Sequence, residues 1–194
     1  MNKLNPREKH KCVLRTETFL VSSMITIRKA TERGVQALTK KFQELLEDTN
    51  SQFYLDNITK FGIPEAYVKK ALSEETVQKA VMSGESVIYL VLENGREILG
   101  FAQTVKRDKS VVELDRIVIF PEYTRKGTGT RLLARVLRDE RRKGTSTIIV
   151  NAGKDETHAR RFYEKNGFKQ LKESVVDTPW GTRLSLVTYQ FELK

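Results

Sequence analysis

The sequence predicts a single α/β domain of the α+β type, a mixed and mostly antiparallel sheet of about seven strands flanked by helices. Three observations lead there. The spacing of apolar residues switches between the two-residue repeat of strands and the 3.6-residue repeat of helices, in the order strand, two helical segments, three strands, helix, strand, helix, two strands. Asn94-Gly95, between the apolar runs 87–92 and 98–105, is the strongest short hairpin signal in the chain, so the neighbouring strands there are antiparallel. Residues 113–133 run from a β-branched strand, stopped by Pro121, through a basic turn with two glycines into an amphipathic helix.

Taken in order, Ile25-Thr26-Ile27-Arg28 alternates apolar and polar, as a half-buried strand does. A helix over residues 31–48 begins at the capping residue Thr31 and sets Val35, Leu38, Phe42, Leu45 and Leu46 at helical spacing. Residues 49–59 read as a polar connection. Pro64 suits the first turn of the next helix, with Tyr67, Val68, Ala71 and Leu72 on one face, and Ser73 starts further turns that stop at Gly84. After the hairpin, residues 106–110 turn the chain into the strand 111–120. In the helix that follows, Leu132, Leu133, Val136 and Leu137 form one stripe and Arg131, Arg135, Arg138 and Arg142 the other. Arg141, Arg142 and Lys143, ahead of Gly144, complement the negative end of its dipole. Residues 147–150 form a short buried strand. Asp155 or Thr157 caps the next helix, which turns Ala159, Phe162 and Tyr163 inward and stops at Asn166-Gly167. Residues 168–175 and 183–191 close the sheet around the turn Asp177-Thr178-Pro179-Trp180-Gly181.

The 194 residues suit one domain, placed at 24–194, preceded by an extension over residues 1–23 that folding and binding do not require. Phe19-Leu20-Val21 is too short for the core of an export signal, and no apolar run reaches membrane-spanning length, so no membrane partner is expected. With Cys12 the single cysteine, an intrachain disulfide is impossible. With His10 and His158 the only histidines, a Cys/His zinc site is excluded as well, and no metal is expected. This usage points to a reducing cytoplasm. The formal charge of +10 favours anionic partners, but the basic residues are interleaved with glutamates, which is the pattern of a solvated surface.

The stretch most able to carry chemistry is the turn at 124–130. A helix start leaves backbone N–H groups without acceptors at the positive end of its dipole, which suits phosphate or pyrophosphate. Gly127 and Gly129 allow close approach, and Arg125 and Lys126 add positive charge. The two common nucleotide fingerprints fail: no lysine follows the second glycine, and Leu132 stands where a dinucleotide motif needs its third glycine. Read alone, the stretch is either an anion site or a plain strand-turn-helix connection.

Two stretches together resemble the GNAT superfamily, the GCN5-related N-acetyltransferases, over residues 25–194. Thr124-Arg125-Lys126-Gly127-Thr128-Gly129, with Thr130 next, is similar to that family's Q/R-x-x-G-x-G/A turn, its first position here being Thr124. Ala159-Arg160-Arg161-Phe162-Tyr163-Glu164-Lys165-Asn166-Gly167-Phe168 resembles its A-x-x-F-Y-E-K-x-G-F; the asparagine often found three residues before that alanine is here Glu156. The resemblance implies a GNAT-type fold whose fourth and fifth strands splay apart to receive acetyl-CoA as cosubstrate. Residues 124–130 would hold its pyrophosphate, the backbone of Ile117, Val118 and Ile119 its pantetheine and thioester carbonyl, with Asn151 and Glu156 as further cofactor contacts.

Acetyl transfer to an amine needs a neutral amine, a polarised carbonyl and a proton for the leaving thiolate. The resemblance makes Tyr163 the proton donor and Glu113 the base, with Asp115 two residues on or a water as the other candidates; strand-end ion pairs or a core tyrosine explain the same residues. For the acceptor it points to Asp48, Tyr54, Asp56, Phe61, Glu65 and the 177–181 turn. Pro121-Glu122-Tyr123-Thr124 is similar to the polyamine-acetylating branch. The implied activity is transfer to a primary amine of a small molecule or polyamine by direct attack in a ternary complex, with a protein N-terminus or lysine as the alternative acceptor and a homodimer left open. The rival from another class is a non-catalytic basic module for nucleic acid or anions; nucleic acid is not the expected partner, because no DNA-reading motif is present.

Overall fold

A computed structural model of the protein describes residues 24–194, and the extension expected over 1–23 lies outside that range. Strand β1 (Ile25–Lys29) leads into helix α1 (Glu32–Glu47), where the Thr31 hydroxyl accepts the Gly34 N–H at 3.3 Å. Residues 49–59 are not the polar connection expected. Ser51 caps a short turn, α2 (Gln52–Tyr54), that continues as π-helix over Leu55–Thr59, because Phe53 and Ile58 have a core to reach. Helices α3 (Glu65–Ala71) and α4 (Glu74–Met82) follow, the second capped by Ser73. Strands β2 (Ser86–Glu93) and β3 (Glu97–Lys106) are joined by Asn94 and Gly95, both at positive φ (50 and 73°), the conformation a two-residue hairpin turn requires.

Strand β4 (Val111–Ile119), a 3₁₀ turn (Pro121–Tyr123) and helix α5 (Thr128–Arg142) form the expected strand-turn-helix unit. Strand β5 (Thr147–Gly153) is longer than its apolar core suggested, and helix α6 (Thr157–Lys165), β6 (Lys169–Asp177) and β7 (Arg183–Glu192) complete the chain. Neither Asp155 nor Thr157 caps α6. Glu156 takes the cap position and turns its carboxylate back to the Gly153 N–H at 2.8 Å.

The seven strands form one sheet in the order β1-β2-β3-β4-β5-β7-β6, antiparallel except between β4 and β5. One face packs on α5 and α6 through Leu114, Leu132, Leu133, Val136, Ile148 and Val150; the other packs on α1 to α4 through Phe42, Leu90, Phe101 and Phe120. Burying one such side chain contributes about 1.5–3 kcal/mol, so the sheet is held from both sides. At the C-terminal end of α5 the fully buried Glu140 receives the hydroxyls of Tyr89 (3.4 Å) and Thr145 (3.1 Å) and the Lys143 ammonium, which match its charge. Arg135 leaves the expected solvated arginine stripe, bonding Asp139 at 3.0 Å and the Ile27 carbonyl at 2.7 Å.

Two irregularities position the site. β4 pairs with β5 only at Val111–Thr147, Val112–Ile148 and Glu113–Ile149, although both strands continue beyond. The strands therefore part after Glu113. The β3–β4 register passes from Gln103–Arg116 to Thr104–Leu114, which leaves Asp115 as an extra, bulged residue. The bulge puts Leu114 and Ile117, three apart, in the same core layer, and turns Arg116 toward α3.

Candidate active site

The turn between β4 and α5 contains two left-handed residues, Arg125 (φ 62°) and Gly127 (φ 73°), and Gly127 occupies the cap position of α5 without a side-chain bond. Arg131 is the first residue of the helix to donate its N–H back, to the Gly127 carbonyl at 3.1 Å. Among the described residues, the N–H groups of residues 125–130 find no protein acceptor. Six N–H groups without a protein acceptor at a helix start suit an anion. Thr124 spends its hydroxyl on the Pro121 carbonyl (3.0 Å), while Arg125 and Lys126 are exposed and form no ion pair among the described residues.

The parting of β4 from β5 exposes backbone as well. Phe120 donates its N–H to the Leu99 carbonyl at 2.9 Å, and antiparallel ladders alternate, so the backbone groups of Val118 also point to β3. The fit there is tight: a Cβ on Gly100 would lie 2.4 Å from the Val118 oxygen. By the same alternation, the N–H and C=O of Ile117 and Ile119 point into the gap. Of the three residues expected to hold the pantetheine, Ile117 and Ile119 turn their backbone groups toward the gap and Val118 turns its own to β3.

Residues 34–180 match the family model described as an acetyltransferase (GNAT) domain. The chain belongs to this family. It is an acetyl-CoA-dependent N-acetyltransferase. Spermidine N(1)-acetyltransferase of Thermoplasma acidophilum is 28% identical over 145 residues, 75% of this chain and 88% of the relative. Among solved structures, the PaiA N-acetyltransferase of Thermoplasma acidophilum in complex with coenzyme A superposes with a TM-score of 0.60 at 20% identity, covering 87% of this chain and 99% of the other. YncA of Salmonella typhimurium with acetyl-CoA superposes with a TM-score of 0.62 at 20% identity, covering 89% and 95%.

In the acetyltransferase, Tyr163 of α6 is 7% exposed, and its ring lies 5.5, 5.7 and 6.1 Å from those of Phe162, Phe168 and Tyr189. Its hydroxyl bonds no protein group among the described residues. Burial, reinforced by the Glu156 charge, pushes its pKa far above the usual phenol value. The shift favours the protonated phenol.

Glu113, at the root of the gap, is engaged on both oxygens: Arg107 Nε lies 2.5 Å from Oε2 and Asn151 Nδ2 2.9 Å from Oε1. Asn151 in turn accepts from Thr188 at 2.7 Å. The expected base and the expected cofactor contact Asn151 are therefore one polar chain. A carboxylate has about four lone-pair sites, so two remain. Asp115 sits beside Arg116, 3.3 Å from its Nε. Glu156 bonds the Gly153 N–H through one oxygen and has the other 3.1 Å from Lys60 Nζ.

On the side of α3, Tyr54 donates to Glu65 (3.1 Å), which Lys69 pairs at 2.6 Å; Asp56 accepts from Gln52 and Asp48 from the Asn50 N–H. Phe61 lies against Gly153, where a Cβ would sit 3.1 Å from its ring. Trp180, in the last hairpin, packs on Tyr67 with ring centroids 5.0 Å apart. Tyr67 also borders a cleft of about 70 Å³ whose lining includes Asn57, Ile63, Val68, Leu72 and Arg116. Arg107, Thr188, Lys60 and Arg116 carried no motif. The alternation of β4 could have pointed to Arg116 only if the bulge at Asp115 were known.

Proposed function

We propose that the protein transfers the acetyl group of acetyl-CoA to the primary amine of a small molecule, by direct attack in a ternary complex. The observation that carries this reading is the wedge between β4 and β5, which opens at Glu113 and ends at a turn of unpaired N–H groups. The amides of residues 125–130, with Arg125 and Lys126, suit the pyrophosphate; Thr128 and Gly129 start the helix beneath it. The Ile117 and Ile119 backbone groups suit the amide-rich pantetheine arm, and a free N–H in the gap can polarise the thioester carbonyl.

The amine attacks from the side of α3 and the last hairpin. Glu113, through its remaining lone pairs, takes the proton that the attacking nitrogen loses, and Arg107 and Asn151 hold it in place. Tyr163 offers its phenolic proton to the sulfur as the carbon–sulfur bond breaks. The aromatic and acidic rim, Tyr54, Phe61, Tyr67, Trp180 and Glu65, supports a small cationic acceptor, and polyamines enter as candidates through the spermidine-acetylating relative.

The test is release of coenzyme A thiol from acetyl-CoA across a panel of diamines, polyamines, amino acids and peptide N-termini. Turnover of a small amine with a rise in melting temperature on adding coenzyme A is the expected result. No thermal shift with coenzyme A, together with salt-sensitive nucleic-acid binding, would replace this reading with the basic-module one.

A further inference from the structure

Thr188, on β7, is a buried polar side chain, 6% exposed, that reaches Glu113 through one intervening residue. It stands opposite Asn151 in the β5–β7 ladder, so the two side chains share a face of the sheet. Its hydroxyl donates to Asn151 Oδ1 at 2.7 Å, and Asn151 Nδ2 donates to Glu113 Oε1 at 2.9 Å. Glu113 pairs with Ile149 at the last rung before β4 and β5 part. Asn151, two residues further along β5, lies on the same face and reaches back across the root of the gap.

An asparagine amide presents a carbonyl at one end and an NH2 at the other, and a half-turn of the group exchanges them. Thr188 decides between the two orientations. As it stands, its hydroxyl proton is met by Oδ1; after a half-turn the amide would donate to the hydroxyl, and that proton would lose its only acceptor among the described residues. A buried donor left without an acceptor is costly, so the NH2 end stays toward the carboxylate.

The surroundings of Glu113 make that orientation matter. The residues opposite it on β3 and β5, Val105 and Ile149, are apolar. The cation facing it is Arg107, and Asp115, two residues on, lies 3.3 Å from Arg116. Arg107 and the fixed Asn151 amide can only donate, and donors favour a carboxylate over its acid form. Neither can accept a proton from Glu113, so a proton taken from an amine has to sit on one of the lone pairs left free. We propose that Thr188 is a positioning residue for the base: it locks the Asn151 amide so that Glu113 meets donors only. This rests on the Glu113 role in the reading above.

The experiment compares Thr188→Val, which removes the hydroxyl and keeps the branched shape a strand accepts, with Thr188→Ser, which keeps the hydroxyl. The Glu113 carboxyl is followed by carbon NMR of the full chain labelled at glutamate, with Glu113→Gln identifying its signal. In Thr188→Val the amide is free to turn and accept from the protonated acid, so Glu113 should titrate about one pH unit higher than in the wild type, while Thr188→Ser follows the wild type. The rising limb of thiol release from acetyl-CoA, with spermidine as acceptor, should move by the same amount in Thr188→Val and return in Thr188→Ser. An unmoved Glu113 signal in Thr188→Val, or a serine variant that shifts as the valine one does, overturns the proposal. A shifted signal beside an unmoved limb, or without turnover of spermidine, supports the lock and counts only against Glu113 as base or spermidine as acceptor.

Discussion

Replacing Tyr163 by phenylalanine removes one oxygen and leaves the ring among Phe162, Phe168 and Tyr189. Because the hydroxyl bonds no protein group among the described residues, the change strands no partner there and opens almost no space, so unfolding free energy should move by under about 1 kcal/mol. The catalytic effect should be far larger. General-acid assistance is worth about 10²- to 10⁴-fold, roughly 2.7–5.4 kcal/mol of transition-state stabilisation. In a stopped thiol-release assay kcat should fall by that factor at neutral pH, while the KM for acetyl-CoA changes little. Tyr163→Ala serves as the contrasting control: it empties a core position and should cost about 3–5 kcal/mol of stability. A Tyr163→Phe enzyme with wild-type kcat would refute the proton-donor role. A Tyr163→Phe enzyme as unstable as the alanine variant would refute the structural argument behind it.

Glu113→Gln should flatten the alkaline-rising limb of the pH–rate profile and, by removing the charge that pairs Arg107 on a side chain only 12% exposed, cost about 1–3 kcal/mol in urea unfolding; an unchanged profile would remove Glu113 as the base. Gly100→Ala puts a Cβ 2.4 Å from the Val118 carbonyl, so β3 and β4 must separate; a loss of about 1–3 kcal/mol is expected in urea, and wild-type stability would show that the strands yield freely. Tyr89 and Tyr163 both titrate above the ordinary phenol value because they are buried, and Tyr123 is pushed up to about 12, first by its bond to Glu97 and then by burial. Above pH 10 the folded state therefore holds more protons than the unfolded one. That stability is complete below pH 10 and is lost as pH rises past it. The urea midpoint should fall between pH 9 and pH 11, and a flat midpoint would contradict the assigned burial.

Short-range chemistry was legible in the chain. Thr31 and Ser73 cap their helices because a hydroxyl can reach N–H groups three residues on, and Asn94, Gly95, Gly127 and Gly167 stand where positive φ is needed. The alternation of β2 and β3 and the stripe Leu132, Leu133, Val136 declared their faces for the same reason. Residues 49–59 were not legible: their helical turns exist because Phe53 and Ile58 meet Phe42 and its neighbours, and local propensity does not report that. The cap of α6 misled because Glu156 found Gly153 and Lys60 in place of its own helix.

At the site the division is the same. Sequence alone determined the glycine turn, the Phe162-Tyr163 helix and the glutamate on β4, since each is a residue type at a fixed distance along one backbone. Only the tertiary structure decided that Val118 turns its amide to β3, that Glu113 is held by Arg107 and Asn151, and that Arg116 faces the cleft under α3. Those facts depend on strand register and on one bulged residue. A shift of a single position reverses which way a side chain points, and register is set by the whole packed sheet.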